Sequence, residues 1–265
     1  MIEVDGSYLE GGGQILRTAC SLSAVTKKPC RVFNIRKGRP EPGLRPQHLL
    51  GIQALAKLCN GRLEGNYLGS EEIKLYPGEI DRGSTSINVK IETAGSITLV
   101  LQTLIPPALY ASESVKIIFD GGATDTFFSP TIDYFRYVFL RILEKMGGKV
   151  KVNVLKRGYY PEGGARVEVN VFPSKLKPLD LTERGKLNKI LAISGASESL
   201  RDKKVAERQL AGTRGILGKL NLPIEENVEY YPSQCPGSQI CLIAEFENTF
   251  IGADNLGKMG KRAED

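Results

Sequence analysis

Apolar positions recur along this chain at helical and at strand-like spacing, and the two alternate in an order that repeats. In QHLLGIQALAKLCNG, Leu49, Ile52, Leu55 and Leu58 fall on one helix face. In TIDYFRYVFLRILEKMGG, Tyr137, Leu140, Leu143 and Met146 do the same and predict a second helix buried on that side. Both helices begin just after a proline, Pro46 or Pro130, and stop at Asn60-Gly61 or Gly147-Gly148. The β-branched runs CRVFNIR and VKIIFDGG read as strands. Two segments therefore align at an offset of roughly 85 residues, each predicting helix, strand, helix, strand, strand. One motif could match by chance; five elements in one order do not.

The pattern changes after the second unit. FPSKLKPLDLTERGK, with its prolines and charges, reads as a connector. Beyond it lie strand-like NKILAISGA, a polar helix from Asp202 to Leu217, strand-like VEYY, a Pro236-Gly237 turn and strand-like QICLIAEFEN. The expected fold class is α+β with α/β-like repeats: a large domain over residues 1–178 and a smaller α+β domain over residues 179–265. GKRAED has the look of a first helical turn, and stacked repeats need a covering unit, so a third repeat is expected beyond residue 265.

Composition narrows the function classes. The 265 residues are 41% hydrophobic and 25% charged, values of an ordinary globular protein. No apolar run is long enough to span a bilayer and the first residues lack a basic or apolar leader, so the expectation is a cytoplasmic protein without a membrane partner. Five cysteines without a CxxC pair argue against a zinc site and against a disulfide framework, although Cys235 and Cys241 could face one another across a hairpin. The net charge of +6 leans toward an anionic partner, while the absence of tryptophan argues against a broad stacking platform for single strands.

The candidate chemistry is restricted by what the chain lacks. His48 is the only histidine, and its place at a helix start predicts a partly buried ring. GADNLGKM has the glycine and lysine spacing of a P-loop, but Met259 stands where a hydroxyl must hold magnesium. EGGGQILR is not a dinucleotide fingerprint, because Leu16 occupies the third glycine position. What remains suits an anion. Arg17 lies one turn past the glycines, Arg36 and Arg39 flank a loop, and Arg45 and Gln47 follow. The first N–H groups after Gly13 are free donors, and Glu10 could hold a divalent metal beside them. Gln102, mid-helix in LVLQTLIPP, either bonds backbone in the core or faces a ligand.

Taken in order, EGGGQILR, RKGRPEPGLRPQHL, TAGSITLVLQTLIPP, FFSPTIDY and GYYPEGGARVEV closely resemble the RNA 3'-terminal phosphate cyclases, through nearly the whole chain. That family resembles the enolpyruvyl transferases in building its large domain from repeated units, with a smaller inserted α+β domain. The resemblance implies a ligase that uses ATP and a divalent metal (Mg or Mn). An active-site histidine is adenylylated, AMP passes to the RNA 3'-phosphate, and the 2'-hydroxyl attacks to give a 2',3'-cyclic phosphate. Carried over by motif, the resemblance implies Glu10 as the metal-side carboxylate, Arg17, Arg36, Arg39 and Gln47 as contacts to the phosphate or RNA end, and Gln102 and Pro130 as positions at the nucleotide. His48 does not match the nucleophile, which the resemblance puts in a third repeat after residue 265. The implied partner is RNA with a 3'-phosphate end, and a homodimer is left open. Two rivals stand beside this reading: a non-catalytic RNA-binding or ribosome-assembly protein of the same fold and, last, an enolpyruvyl transferase.

Overall fold

A computed structural model describes all residues of the chain except 81, 82 and 84. Its first unit runs β1 (Ile2–Asp5), α1 (Gly13–Thr26), β2 (Cys30–Phe33), α2 (Pro46–Leu58), β3 (Arg62–Glu64) and β4 (Ile73–Tyr76). The second runs β5 (Ser86–Ser96), α3 (Ile97–Ala108), β6 (Val115–Ala123), a helical segment, β7 (Lys149–Lys156) and β8 (Arg166–Phe172). The sheet orders are β1-β2-β4-β3 and β5-β6-β8-β7, the same topology twice. In each sheet the first two strands are parallel and the remaining neighbours antiparallel. The expected repeat is present, and each unit also opens with a parallel strand that the sequence pattern left out. In β5 the signal was there: Ile87, Val89 and Ile91 alternate and are buried.

One continuous core joins the two units. Leu16, Cys20 and Ala24 of α1, Ile52, Leu55 and Leu58 of α2, and Val100, Leu101 and Leu104 of α3 are all buried in it. The three helices pack on one another, and α2 touches strands of both sheets, β3 and β5. Thus the predicted α2 face is the buried one, with Leu49 half-covered at its edge.

The second unit's later helix departs from expectation. It comprises α4 (Ile132–Tyr134), a π-helical stretch (Phe135–Phe139) and α5 (Leu140–Lys145). Its buried apolar positions are Ile132, Phe135, Val138 and Leu143, whereas the expected Tyr137, Leu140 and Met146 are only half-buried. A π turn adds a residue to the repeat and rotates the following face, so a fixed 3.6-residue period picks the wrong side.

Residues 173–186 form no regular element, as the connector reading expected. They lead to β9 (Leu187–Ser197), α6 (Val205–Leu217), β10 (Ile224–Tyr231), β11 (Ser238–Phe246) and β12 (Phe250–Leu256), in the sheet order β10-β9-β11-β12. Val138 in the π-helical stretch packs on Ile193, Cys241 and Ile243 of this sheet. The GADNLGKM motif lies largely in β12, an edge strand antiparallel to β11, and so it builds no phosphate loop. Residues 258–265 make isolated turns, bonded from Lys261 N to Lys258 O and from Asp265 N to Arg262 O, not the expected helical turn. All five cysteines are buried and free, so the Cys235–Cys241 bridge is absent. None of the three sheets closes into a barrel, and the architecture is mixed α+β.

Candidate active site

The glycine run is explained by what sits against it. Gly11 has φ +56°, a left-handed backbone that turns the chain into α1. A Cβ on Gly13 would land on the His48 imidazole. The chain therefore enters α1 in contact with the ring, at a distance only glycine allows. Helix α1 begins without a side-chain cap and with no acidic residue in its first turn. Its first N–H groups remain donors at the positive end of the helix dipole.

Around this start the basic residues gather. Arg39 Nη2 donates to Glu10 Oε2 at 3.2 Å, with the Glu10 side chain 88% exposed. Arg45 pairs with Glu41. Arg36, at φ +55°, donates from Nη1 to the carbonyls of Glu41 (2.6 Å) and Gly43 (3.0 Å), so part of its guanidinium shapes its own loop. Arg17 is half-buried, and its Nε has no hydrogen-bond partner among the described residues. Burial lowers the pKa of Arg17, and burial with the neighbouring Arg45 and Arg39 lowers that of Arg36. Guanidinium groups under such pressure favour an anion between them.

His48 lies under the same field. Its ring is 6% exposed, and Nδ1 accepts the Arg45 backbone N–H at 3.2 Å. Burial, and then the charges of Arg17, Arg36 and Arg45, push its pKa down to about 3. A neutral ring that accepts at Nδ1 carries its proton on Nε2, beside Gly13. The expected partly buried histidine is thus a buried one.

A line of hydrogen bonds leads from this cluster to the second unit. Gln47, at the start of α2, accepts at Oε1 from Ser96 N–H (3.1 Å). Ser96, the N-cap of α3, is 2.9 Å from Thr98 Oγ1 through its hydroxyl, and Thr98 donates to the Pro130 carbonyl at 2.9 Å. Gln102 follows Thr98 by one helical turn. It is half-buried and makes no side-chain hydrogen bond among the described residues. Its core-bonded alternative is therefore not the one adopted. The structure brings Glu10 to Arg39, sets His48 within the field of Arg17, Arg36 and Arg45, and brings Gln47 into line with Pro130. Ser96 and Thr98, the joints of that line, were not singled out; small hydroxyl residues before an apolar helix are a capping signal that could have found them.

The sequence also gave no sign of a buried ionic knot at residue 157. Arg157 is fully buried, and its Nη1 donates to Asp125 Oδ2 at 3.0 Å. Nη2 donates to Asp133 at 2.8 and 2.9 Å and to Glu229 Oε2 at 3.1 Å. Gln239 Nε2 donates to Asp133, and Tyr159 donates its hydroxyl to Gln239 at 2.8 Å. Burial raises the pKa of Asp125, and Arg157 opposes that rise. By contrast, the groove of about 500 Å³ between Tyr137, Leu140, Val150 and Phe172 is lined by none of the predicted site residues.

A sequence model described as RNA 3'-terminal phosphate cyclase matches residues 8–252. The chain belongs to that family. Proteins named RNA 3'-terminal phosphate cyclase resemble it end to end. The one from Saccharolobus solfataricus is 46% identical over 265 residues, covering all of this chain and 77% of its own. Those from Sulfurisphaera tokodaii and Ignicoccus hospitalis are 43% and 44% identical, again over all of this chain and over 77% and 75% of theirs. The mixed α+β fold with its two equal sheets agrees with membership. Among the described residues no helix is long and apolar enough to cross a membrane.

Proposed function

We propose that this protein is an ATP-dependent ligase that converts the 3'-terminal phosphate of an RNA into a 2',3'-cyclic phosphodiester. The observation that carries the reading is the convergence of the uncapped start of α1, the guanidinium groups of Arg17, Arg36 and Arg39, and the neutral His48 Nε2–H in one place. Backbone N–H groups and guanidinium forks are what a terminal phosphate requires. Gln47 connects that place to Pro130, and Gln102 lies one turn past the Thr98 that holds Pro130. These contacts support a nucleotide position next to the RNA end.

The chemistry follows from a leaving-group problem. A phosphate monoester is a poor electrophile, so AMP must be attached to it before the neighbouring hydroxyl can displace anything. A histidine nitrogen takes AMP from ATP with release of pyrophosphate. An oxygen of the 3'-phosphate then takes AMP from the histidine. Finally the 2'-hydroxyl oxygen attacks the 3'-phosphorus, loses its proton, and AMP leaves. His48 is not that nucleophile, since its Nδ1 is occupied and its ring is enclosed.

Glu10 fits a divalent ion that takes one protein carboxylate and completes its shell with phosphate oxygens and water, as Mg does. Among the described residues no cluster of three or more His, Cys, Asp or Glu side chains forms a protein-only cage. Such an ion neutralises phosphate charge when bound. Arg39, which donates to Glu10, would meet the same phosphate in this reading.

The test is to incubate the product of the whole gene with ATP, a divalent metal and an RNA bearing a labelled 3'-phosphate. Resistance of the label to phosphatase, with AMP formed in equal amount, is the expected result. RNA binding with no AMP formed would move the protein to the non-catalytic branch of the fold.

A further inference from the structure

Arg157 has no place in the reading above, yet its guanidinium grips both ends of one short segment. Asp125 and Asp133, its two aspartate partners, bracket the loop that carries Pro130. Asp125 also accepts from Thr124 Oγ1 at 2.6 Å and, weakly, from Ile132 N–H at 3.4 Å. Between the anchors only part of the loop is packed: Thr126 is buried and the Phe127 ring meets Tyr160 edge-on at 5.6 Å. Phe127 is 52% exposed, and Phe128 is fully exposed with φ +60°. A left-handed aromatic residue with no packing does not hold a loop in shape. The shape comes from the ends, where Ile132 N–H also bonds the Thr124 carbonyl at 3.0 Å, and from three bonds between them: Ser129 Oγ to the Thr126 carbonyl at 3.0 Å, Thr98 Oγ1 to the Pro130 carbonyl, and Thr131 N–H to Asp254 at 2.7 Å.

We propose that Arg157 is a positioning residue for the nucleotide: by fixing Asp125 and Asp133 at once it sets where Pro130 stands. The proposal rests on the reading that Pro130 lies beside the nucleotide. Only a planar fork can serve two carboxylates in fixed directions; the point charge of a lysine cannot. The fourth contact, to Glu229 on β10, offers a competing role, in which Arg157 merely ties the last sheet to the second unit.

Two substitutions separate these roles. Arg157→Lys keeps a charge and loses the fork; Glu229→Gln spares both loop contacts and weakens the tie to β10. The chain contains no tryptophan, so Phe128→Trp places a single indole on the loop. In that background, indole anisotropy is expected to fall with Arg157→Lys and to stay unchanged with Glu229→Gln. In the cyclisation assay without the indole, Arg157→Lys is expected to raise KM for ATP about tenfold or more. Its kcat at saturating ATP and its KM for the RNA end should stay within about threefold. If Arg157→Lys does not fold, Asp125→Ala frees one end of the loop and is expected to act in the same direction. Unchanged anisotropy and KM in Arg157→Lys, or an equal effect from Glu229→Gln, would overturn the proposal. A wild-type protein that uses no ATP would remove the nucleotide half together with the functional reading; the indole would still decide whether Arg157 holds the loop.

Discussion

His48 shows how one buried residue can bring distant segments together. Its folded pKa of about 3 lies below the ordinary 6.5, so the folded state resists a proton that the unfolded chain accepts. The stability this contributes is present above pH 6.5 and is lost as pH falls from there toward 3. At roughly 1.4 kcal/mol per unit, the loss reaches about 3 kcal/mol by pH 4. Urea denaturation at several pH values should show this slope in the wild type and a shallower one in His48→Gln. Gly13→Ala, whose methyl would meet the ring, is expected to cost about 1–3 kcal/mol and to weaken phosphate binding, as checked by denaturation and by titration with pyrophosphate. The types of residue needed for the anion site were legible in EGGGQILR and RKGRPEPGLRPQ. Their mutual contacts were not, because Gly13 and His48 are 35 positions apart and meet only through α1–α2 packing. Arg157 was illegible for the same reason: nothing local distinguishes a buried arginine from a solvated one.

Among the elements, the clearest lesson is the helical segment from Ile132 to Lys145. Sequence spacing put Tyr137 and Leu140 on the buried face, and the π turn gives that place to Val138. Val138→Ala is therefore expected to cost about 2 kcal/mol and Leu140→Ala about half as much, the reverse of what a regular α-helix predicts. Thermal or urea unfolding of the two variants decides between them. Strands fared better, since alternation needs no correction for turns: β6, β9 and β11 fall within a few residues of their expected positions. The missed first strands, β1 and β5, are each set apart from the next strand by a helix, so no hairpin turn announces them. Gln47 and Ser96 deserve equal notice as the joint between units. Gln47→Ala leaves the Ser96 N–H without its partner, and about 1–2 kcal/mol should be lost in the same unfolding measurement.

At the scale of the whole molecule, duplication explains where the site lies. Two units of one topology pack helix against helix, and the starts of α1, α2 and α3 bring EGGG, RPQH and TAGS into one connected neighbourhood. That repeat was legible because it is a pattern of order and needs no knowledge of contacts. Binding of an RNA end there should be strongly salt-dependent. If three or four phosphate charges are neutralised, the logarithm of the affinity should fall with that of salt at a slope of about −2 to −3. A shallow slope would place the RNA elsewhere. In the proposed reaction a terminal phosphate sits where the start of α1 meets the guanidinium groups and His48. Because His48 is the only histidine, its imidazole gives one assignable signal in a proton–nitrogen correlation spectrum. Titration with a short RNA ending in a 3'-phosphate should shift that signal and saturate it. The same RNA ending in a 3'-hydroxyl should bind at least about tenfold more weakly. Equal responses to the two ends, or an unmoved His48 while RNA binds, would contradict the account.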